Sequence, residues 1–87
     1  DIISREESSK LELEEVSYTD LNKEYRDKTL RDLDIRNVSG ATVIGFKDES
    51  KGFLFNPHST KKITEGDILI LLGETEHIKK FRSSYLH

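Results

Sequence analysis

Ile68-Leu69-Ile70-Leu71-Leu72 is the longest unbroken apolar run in the chain, and glycine signals bound it on both sides. Glu65-Gly66-Asp67 turns the chain into the run, and Gly73 follows it. Successive side chains of a strand point to opposite faces, so five apolar residues in a row predict a strand covered on both faces. The run is far shorter than the roughly 20 residues a bilayer crossing requires. The rest of the chain has to be laid around this strand.

Its neighbours supply material for a small core. Leu, Ile, Val and Phe make up 25 of 87 residues, more than the roughly one fifth below which a highly charged chain stays disordered. Charged residues are 36% of the chain, and most must lie on a solvated surface because unpaired charges are rarely buried. The absence of Cys removes disulfides, thiolate zinc sites and cysteine nucleophiles together. A domain this small without disulfides is marginal alone, and self-association is a natural remedy. The net charge of −3 argues against DNA or RNA polymers, which require a basic face. It leaves room for a small nucleotide held by one or two cationic groups. No basic-then-apolar signal peptide opens the chain. No methionine opens it either, which predicts a fragment of a longer protein, with residues 1–9 a leader or linker remnant and one domain over 10–87.

Local patterns predict the order of elements. Lys10–Tyr18 reads as a first strand: Leu11 and Leu13 alternate with Glu12 and Glu14, and Val16 and Tyr18 continue on the other parity. That phase change predicts a β-bulge at Glu14-Glu15. Asp20–Lys28 reads as a loop or short surface helix. Thr29-Leu30-Arg31-Asp32 resembles a capping box and opens a helix of two turns. Ser39-Gly40 ends that helix, glycine supplying the positive φ such stops prefer. Ala41–Lys47 and Phe53-Leu54-Phe55 predict a hairpin around the turn Asp48–Gly52, and Asn56-Pro57 breaks the returning strand. Ile78, Phe81 and Tyr85 share one stripe of a closing helix. Strand, short helix, hairpin, buried strand and helix add up to a small single-domain α+β fold.

The stretch Thr29-Leu30-Arg31-Asp32-Leu33-Asp34-Ile35-Arg36, then Val43-Ile44-Gly45-Phe46-Lys47, Asn56-Pro57 and Ile63–Gly73, resembles the TrkA C-terminal domain family, the C-terminal lobe of the regulator of potassium conductance. Order and spacing carry the likeness, which spans roughly Lys10–Phe81. The resemblance implies a cytoplasmic regulatory module of a potassium channel, potassium transporter or related cation antiporter. Such modules pair as homodimers and act on a membrane domain of the same or an associated chain. Some relatives bind cyclic di-AMP in a groove between two copies. By position, the resemblance carries this role to Leu30 and Ile35 as apolar walls, Arg36 as the phosphate contact, Val38, the pair Ala41-Thr42, and Pro57. Relatives that bind usually place His-Asn or a similar polar pair where this chain has Ala41-Thr42. No Gly-x-Gly-x-x-Gly occurs, so dinucleotide binding is not carried over.

Each candidate has a plainer reading beside it. Arg36 follows Ile35 near a helix end, where a guanidinium can clamp phosphate or simply pair with Asp32, Asp34 or the helix dipole. Asn56-Pro57-His58 lines a groove or only turns the chain. His58, His77 and His87 have no second ligand at metal spacing, so no metal site is assigned. Glu12, Glu14, Glu15 and Asp20 could gather a divalent cation, although alternating acids are ordinarily the wet face of a strand. No Gly-x-Ser-x-Gly and no paired carboxylate motif occurs, which predicts a protein that is not an enzyme. The leading expectation is a ligand-responsive regulatory dimer, with cyclic di-AMP the candidate ligand and no cofactor otherwise assigned. Its rivals are a passive assembly module that binds nothing and a divalent-cation sensor.

Overall fold

The computed structural model describes residues 10–48, 50 and 52–87. The segment read as a leader, 1–9, lies outside the described residues, as do Glu49 and Lys51 of the hairpin turn. Strand β1 (Leu11–Ser17) is followed by two single 3₁₀ turns, Tyr18–Asp20 and Lys23–Tyr25. Then come helices α1 (Leu30–Leu33) and α2 (Ile35–Ser39), strands β2 (Thr42–Asp48), β3 (Gly52–Phe55) and β4 (Ile68–Glu74), and helix α3 (Thr75–Tyr85). The strands form one sheet in the order β1-β4-β2-β3, every pair antiparallel. The apolar run therefore occupies an interior strand, where the backbone is paired on both sides.

One face of the sheet builds the core. Val16, Phe46, Leu69 and Leu71 pack with Ile78, Phe81 and Tyr85 of α3, the stripe predicted from the sequence, and with Leu21, Leu33, Ile35, Ala41 and Ile63. The loop entering β4 is pinned by Asp67, only 3% exposed, whose Oδ2 accepts from Thr64 N at 2.9 Å and Lys61 Nζ at 3.2 Å. The Lys61 ammonium also lies over the Phe46 ring, 4.7 Å from its centroid.

Two expectations require correction. The helix opened by Thr29 is not continuous. Thr29 Oγ1 accepts from Asp32 N at 3.1 Å as expected of a cap, but Asp34 takes φ 54° and splits the segment into α1 and α2. Aspartate tolerates the left-handed region better than most residues, which makes the break tolerable at this position. The second helix stops at Gly40, φ 88°, where an added Cβ would stand 2.5 Å from the His77 ring.

The bulge predicted at Glu14-Glu15 does not occur. β1 pairs with β4 in unbroken register from Leu11 opposite Glu74 to Ser17 opposite Ile68. The irregularity lies in β2 instead, between Val43 and Gly45. The expectation assumed that Leu11 and Leu13 face the core; they are 70% and 63% exposed. Glu12 and Glu14 share the parity of buried Val16, and polar partners at the rim receive them. Thr75 Oγ1 donates to Glu12 Oε2 at 2.9 Å, and the Arg82 guanidinium pairs with Glu14.

β4 is covered on both faces, as its apolar run predicts, and none of its residues is exposed. Ile68, Ile70 and Leu72 share the outer face with Leu11, Leu13, Phe53 and Phe55, by strand register. Lys47 Nζ meets Glu15 Oε2 at 3.0 Å, a pair that reaches from β2 to β1 across β4. Ile70 is 6% exposed yet stands apart from the main core, consistent with cover by these aliphatic stems. The flanking Phe53 and Phe55 remain 56% and 69% exposed. The outer face is thus closed at its centre, and its apolar flanks on β1 and β3 are open to water.

Candidate functional site

At the end of the sheet where β2 begins and β3 has just ended, α1 and α2 close one side of a concavity of about 430 Å³. Leu30, Arg31, Asp34, Ile35 and Arg36 line it from the broken helix, Ala41, Thr42 and Val43 from the start of β2, and Pro57 and Ser59 from the loop after β3. Six of the seven residues singled out in the sequence meet here: Leu30, Ile35, Arg36, Ala41, Thr42 and Pro57. Val38 is not among the lining residues; it lies on α2, 42% exposed.

Local structure explains the convergence. Asn56 adopts φ 54° and its N–H donates to Ile44 O at 2.8 Å, so the chain leaves the sheet sharply and Pro57 turns under the helices. Leu30 N donates to Lys61 O at 3.0 Å and Arg31 N to Ser59 O at 2.9 Å, which ties the start of α1 to the same loop. The junction between the two helices is held from below. Leu33 O, at the end of α1, accepts the phenolic hydrogen of Tyr85 from α3. Burial pushes the Tyr85 phenol up to about 12, with the Tyr25 and Asp34 charges adding to the effect. A phenol that holds its proton so tightly remains a donor across the physiological range.

The electrostatics of the concavity favour an anion. Arg31 and Arg36 are exposed, and among the described residues neither enters an ion pair within 4.0 Å. Asp34 also lines the space, but its Oδ1 accepts from Asn37 Nδ2 at 2.8 Å. Ile35 and Ala41 are buried, while Leu30, Val43 and Pro57 are half-buried, so the other walls are apolar and suit a flat heterocycle. A guanidinium beside apolar walls can hold a phosphate while the walls take a base.

The other candidates do not assemble. Among the described residues no group of three His, Cys, Asp or Glu side chains converges as a metal site. Each of the four acids has its own partner: Glu12 with Thr75, Glu14 with Arg82, Glu15 with Lys47, and Asp20 with Ser17 N. His77 Nδ1 accepts from Glu74 N at 3.1 Å, and His58 Nδ1 lies 2.9 Å from Thr60 Oγ1. Among the described residues no helix is long and apolar enough to cross a membrane. Sequence reasoning did not anticipate Arg31, Asp34, Val43 or Ser59 at the concavity. For Arg31 the obstacle was the assumption of a continuous helix, on which residues five apart stand about 140° from each other.

A four-stranded antiparallel sheet with helices on one face and a recess carrying two arginines at its end defines a small α+β domain. The chain belongs to the TrkA-C domain family, which matches residues 13–85. It is 37% identical over 59 residues to the K(+)/H(+) antiporter subunit KhtT of Bacillus subtilis, covering 68% of this chain and 36% of that protein. It is likewise 37% identical over 59 residues to the Ktr system potassium uptake protein C of the same organism, over 26% of its length. The chain thus spans about a third or less of the curated relatives it matches. In fold it resembles the RCK_C domain dimer of S. agalactiae BusR in complex with c-di-AMP, at TM-score 0.69 and 21% identity, covering 82% of this chain and 91% of that one. It also resembles the RCK C domain of the potassium transport protein KtrA in complex with c-di-AMP, at TM-score 0.66 and 22% identity, covering 94% of this chain and 89% of that one.

Proposed function

We propose that this chain is a regulatory domain of a potassium transport system, a module that pairs with a second copy and takes a phosphate-bearing nucleotide in the concavity beside Arg36. Cyclic di-AMP is the first candidate. The observation that carries the reading is the meeting of an exposed Arg36, without an ion pair among the described residues, with the apolar walls Leu30, Ile35 and Pro57 in one recess. The family and the potassium-transport names of its relatives support the biological setting. Within that setting the domain works on the cytoplasmic side of the membrane, on a channel or transporter domain of the same or an associated chain, and as a regulator, not a catalyst. A ligand that prefers one arrangement of two copies shifts the population toward it.

The two edges of the sheet support pairing. β1 carries Glu12, Glu14 and Glu15, charges that discourage strand addition, whereas β3 is Gly52-Phe53-Leu54-Phe55 with no charge at all. The exposed rings of Phe53 and Phe55 continue from that edge onto the outer face.

Thermal melts of the chain with cyclic di-AMP test the ligand. Saturation a hundredfold above Kd stabilises by about 2.7 kcal/mol, a rise of roughly 10 °C or more for a domain of this size. Arg36→Ala should abolish the rise and leave the unliganded melt nearly unchanged. No rise with cyclic di-AMP would reduce the domain to a passive assembly module, and a rise with Ca²⁺ alone would favour the ion sensor. Sedimentation should report a dimer that Phe53→Asp with Phe55→Asp dissociates; a monomer at all concentrations would refute pairing.

A further inference from the structure

The recess holds a second guanidinium. Arg31 lines it together with Arg36, although helical spacing alone would send the two apart. The left-handed residue Asp34 between them, φ 54°, resets the helix direction and brings both onto one wall. The Arg31 side chain makes one weak contact, Nη2 to Ser59 Oγ at 3.3 Å, and among the described residues it has no carboxylate partner. Ala41 brings only a methyl group to the recess, and its N–H is already held by Ser39 Oγ at 3.0 Å. Beside the hydroxyls of Thr42 and Ser59, the charged donors for an anion come from the arginines. Two guanidiniums and one carboxylate, Asp34, leave the lining with a net positive charge in a chain of net charge −3.

We propose that Arg31 is a second phosphate-binding side chain, so that each copy of the chain holds its ligand with two guanidiniums. The inference rests on the recess being the nucleotide site. A phosphodiester offers two non-bridging oxygens, and two planar forks on one wall can each take one, which a single arginine does only by turning both of its donors to one phosphate. The Ser59 hydroxyl steadies the Arg31 fork while the recess is empty and releases it to the stronger acceptor.

Isothermal titration of the 87-residue chain with cyclic di-AMP, and separately with inorganic pyrophosphate, tests this. Arg31→Ala should weaken binding of both probes about tenfold or more, the usual effect of losing a hydrogen bond to a charged group. It should also flatten the salt dependence, while the unliganded melt stays near that of the parent, because the Arg31 N–H to Ser59 O bond survives the substitution. Arg31→Lys should recover part of the loss, and Lys79→Ala, which removes one positive charge from the exposed side of α3 outside the recess, should bind within about twofold of the parent. If Arg36→Ala loses binding while Arg31→Ala matches the parent, Arg31 has no such role and the nucleotide site itself stands. If Lys79→Ala loses as much as Arg31→Ala, the effect belongs to net charge and the proposal fails. Parent-like binding in both arginine variants, or no binding of either probe by the parent, overturns the site and the second guanidinium together.

Discussion

Tyr85→Phe removes one oxygen from the molecule and separates two consequences of the same hydrogen bond. The hydroxyl donates to Leu33 O, which lies where α1 ends and the chain turns left-handed at Asp34. Without it a buried carbonyl loses its donor, a loss of about 1–3 kcal/mol. For a domain of this length that corresponds to a fall in Tm of roughly 4–20 °C. The second consequence is a pH signature. Burial, with Tyr25 and Asp34 contributing, raises the phenol from 10.0 to about 12 in the folded protein. A raised folded value means that the stabilisation is fully present below pH 10 and is lost as pH climbs from 10 toward 12. A rise of that size sets an upper bound of about 2.7 kcal/mol on the loss. Circular dichroism melts of both proteins at neutral pH and across the alkaline range read both effects, and their difference cancels groups common to the two. Tyr85→Phe should melt lower at neutral pH and lose less on going alkaline. A variant within about 2 °C of the parent at neutral pH, or one with an identical alkaline decline, would refute the role assigned to the hydroxyl.

Gly45→Ala should destabilise the hairpin by about 1–3 kcal/mol, because the new Cβ would stand 2.7 Å from the Phe53 ring and 2.9 Å from Leu54 O; urea titration measures it. The backbone-entropy gain of replacing glycine is smaller, about 0.4–1 kcal/mol, and does not reverse the sign. Asp34→Asn keeps a residue tolerant of φ 54° and removes the negative charge from the recess. It should tighten nucleotide binding about two- to fivefold by titration, an electrostatic gain on the order of 0.5–1 kcal/mol. Arg82→Ala breaks an ion pair with Glu14 whose arginine is half in solvent, and should change the melting free energy by less than about 1 kcal/mol.

Much of this architecture was legible because local signals agreed with one another. Gly40, the Thr29 cap, the Asn56-Pro57 break and the Ile78, Phe81, Tyr85 stripe each mark a boundary or face that the structure repeats. The errors have a common cause in tertiary context. Leu11 and Leu13 looked like core because leucines usually are, yet the register with β4 turns them outward and gives Glu12 and Glu14 partners from α3. Nothing within Lys10–Tyr18 announces Thr75 and Arg82, which stand more than sixty residues away. The recess was legible where a family pattern pointed to positions, and illegible where one dihedral decided the outcome. Asp34 carries no sequence mark that separates a helical aspartate from a left-handed one, and on that angle depends whether Arg31 faces Arg36 or the opposite side.

The outer side of the sheet bears on how this polypeptide has to be handled. Leu11, Leu13, Phe53 and Phe55 give a solitary copy an oily flank, and oil in water seeks cover. Where two copies share that cover, folding becomes a bimolecular matter: dilution acts as a denaturant, a higher concentration of the chain acts as a stabiliser, and any melting point has meaning only beside the concentration at which it was taken.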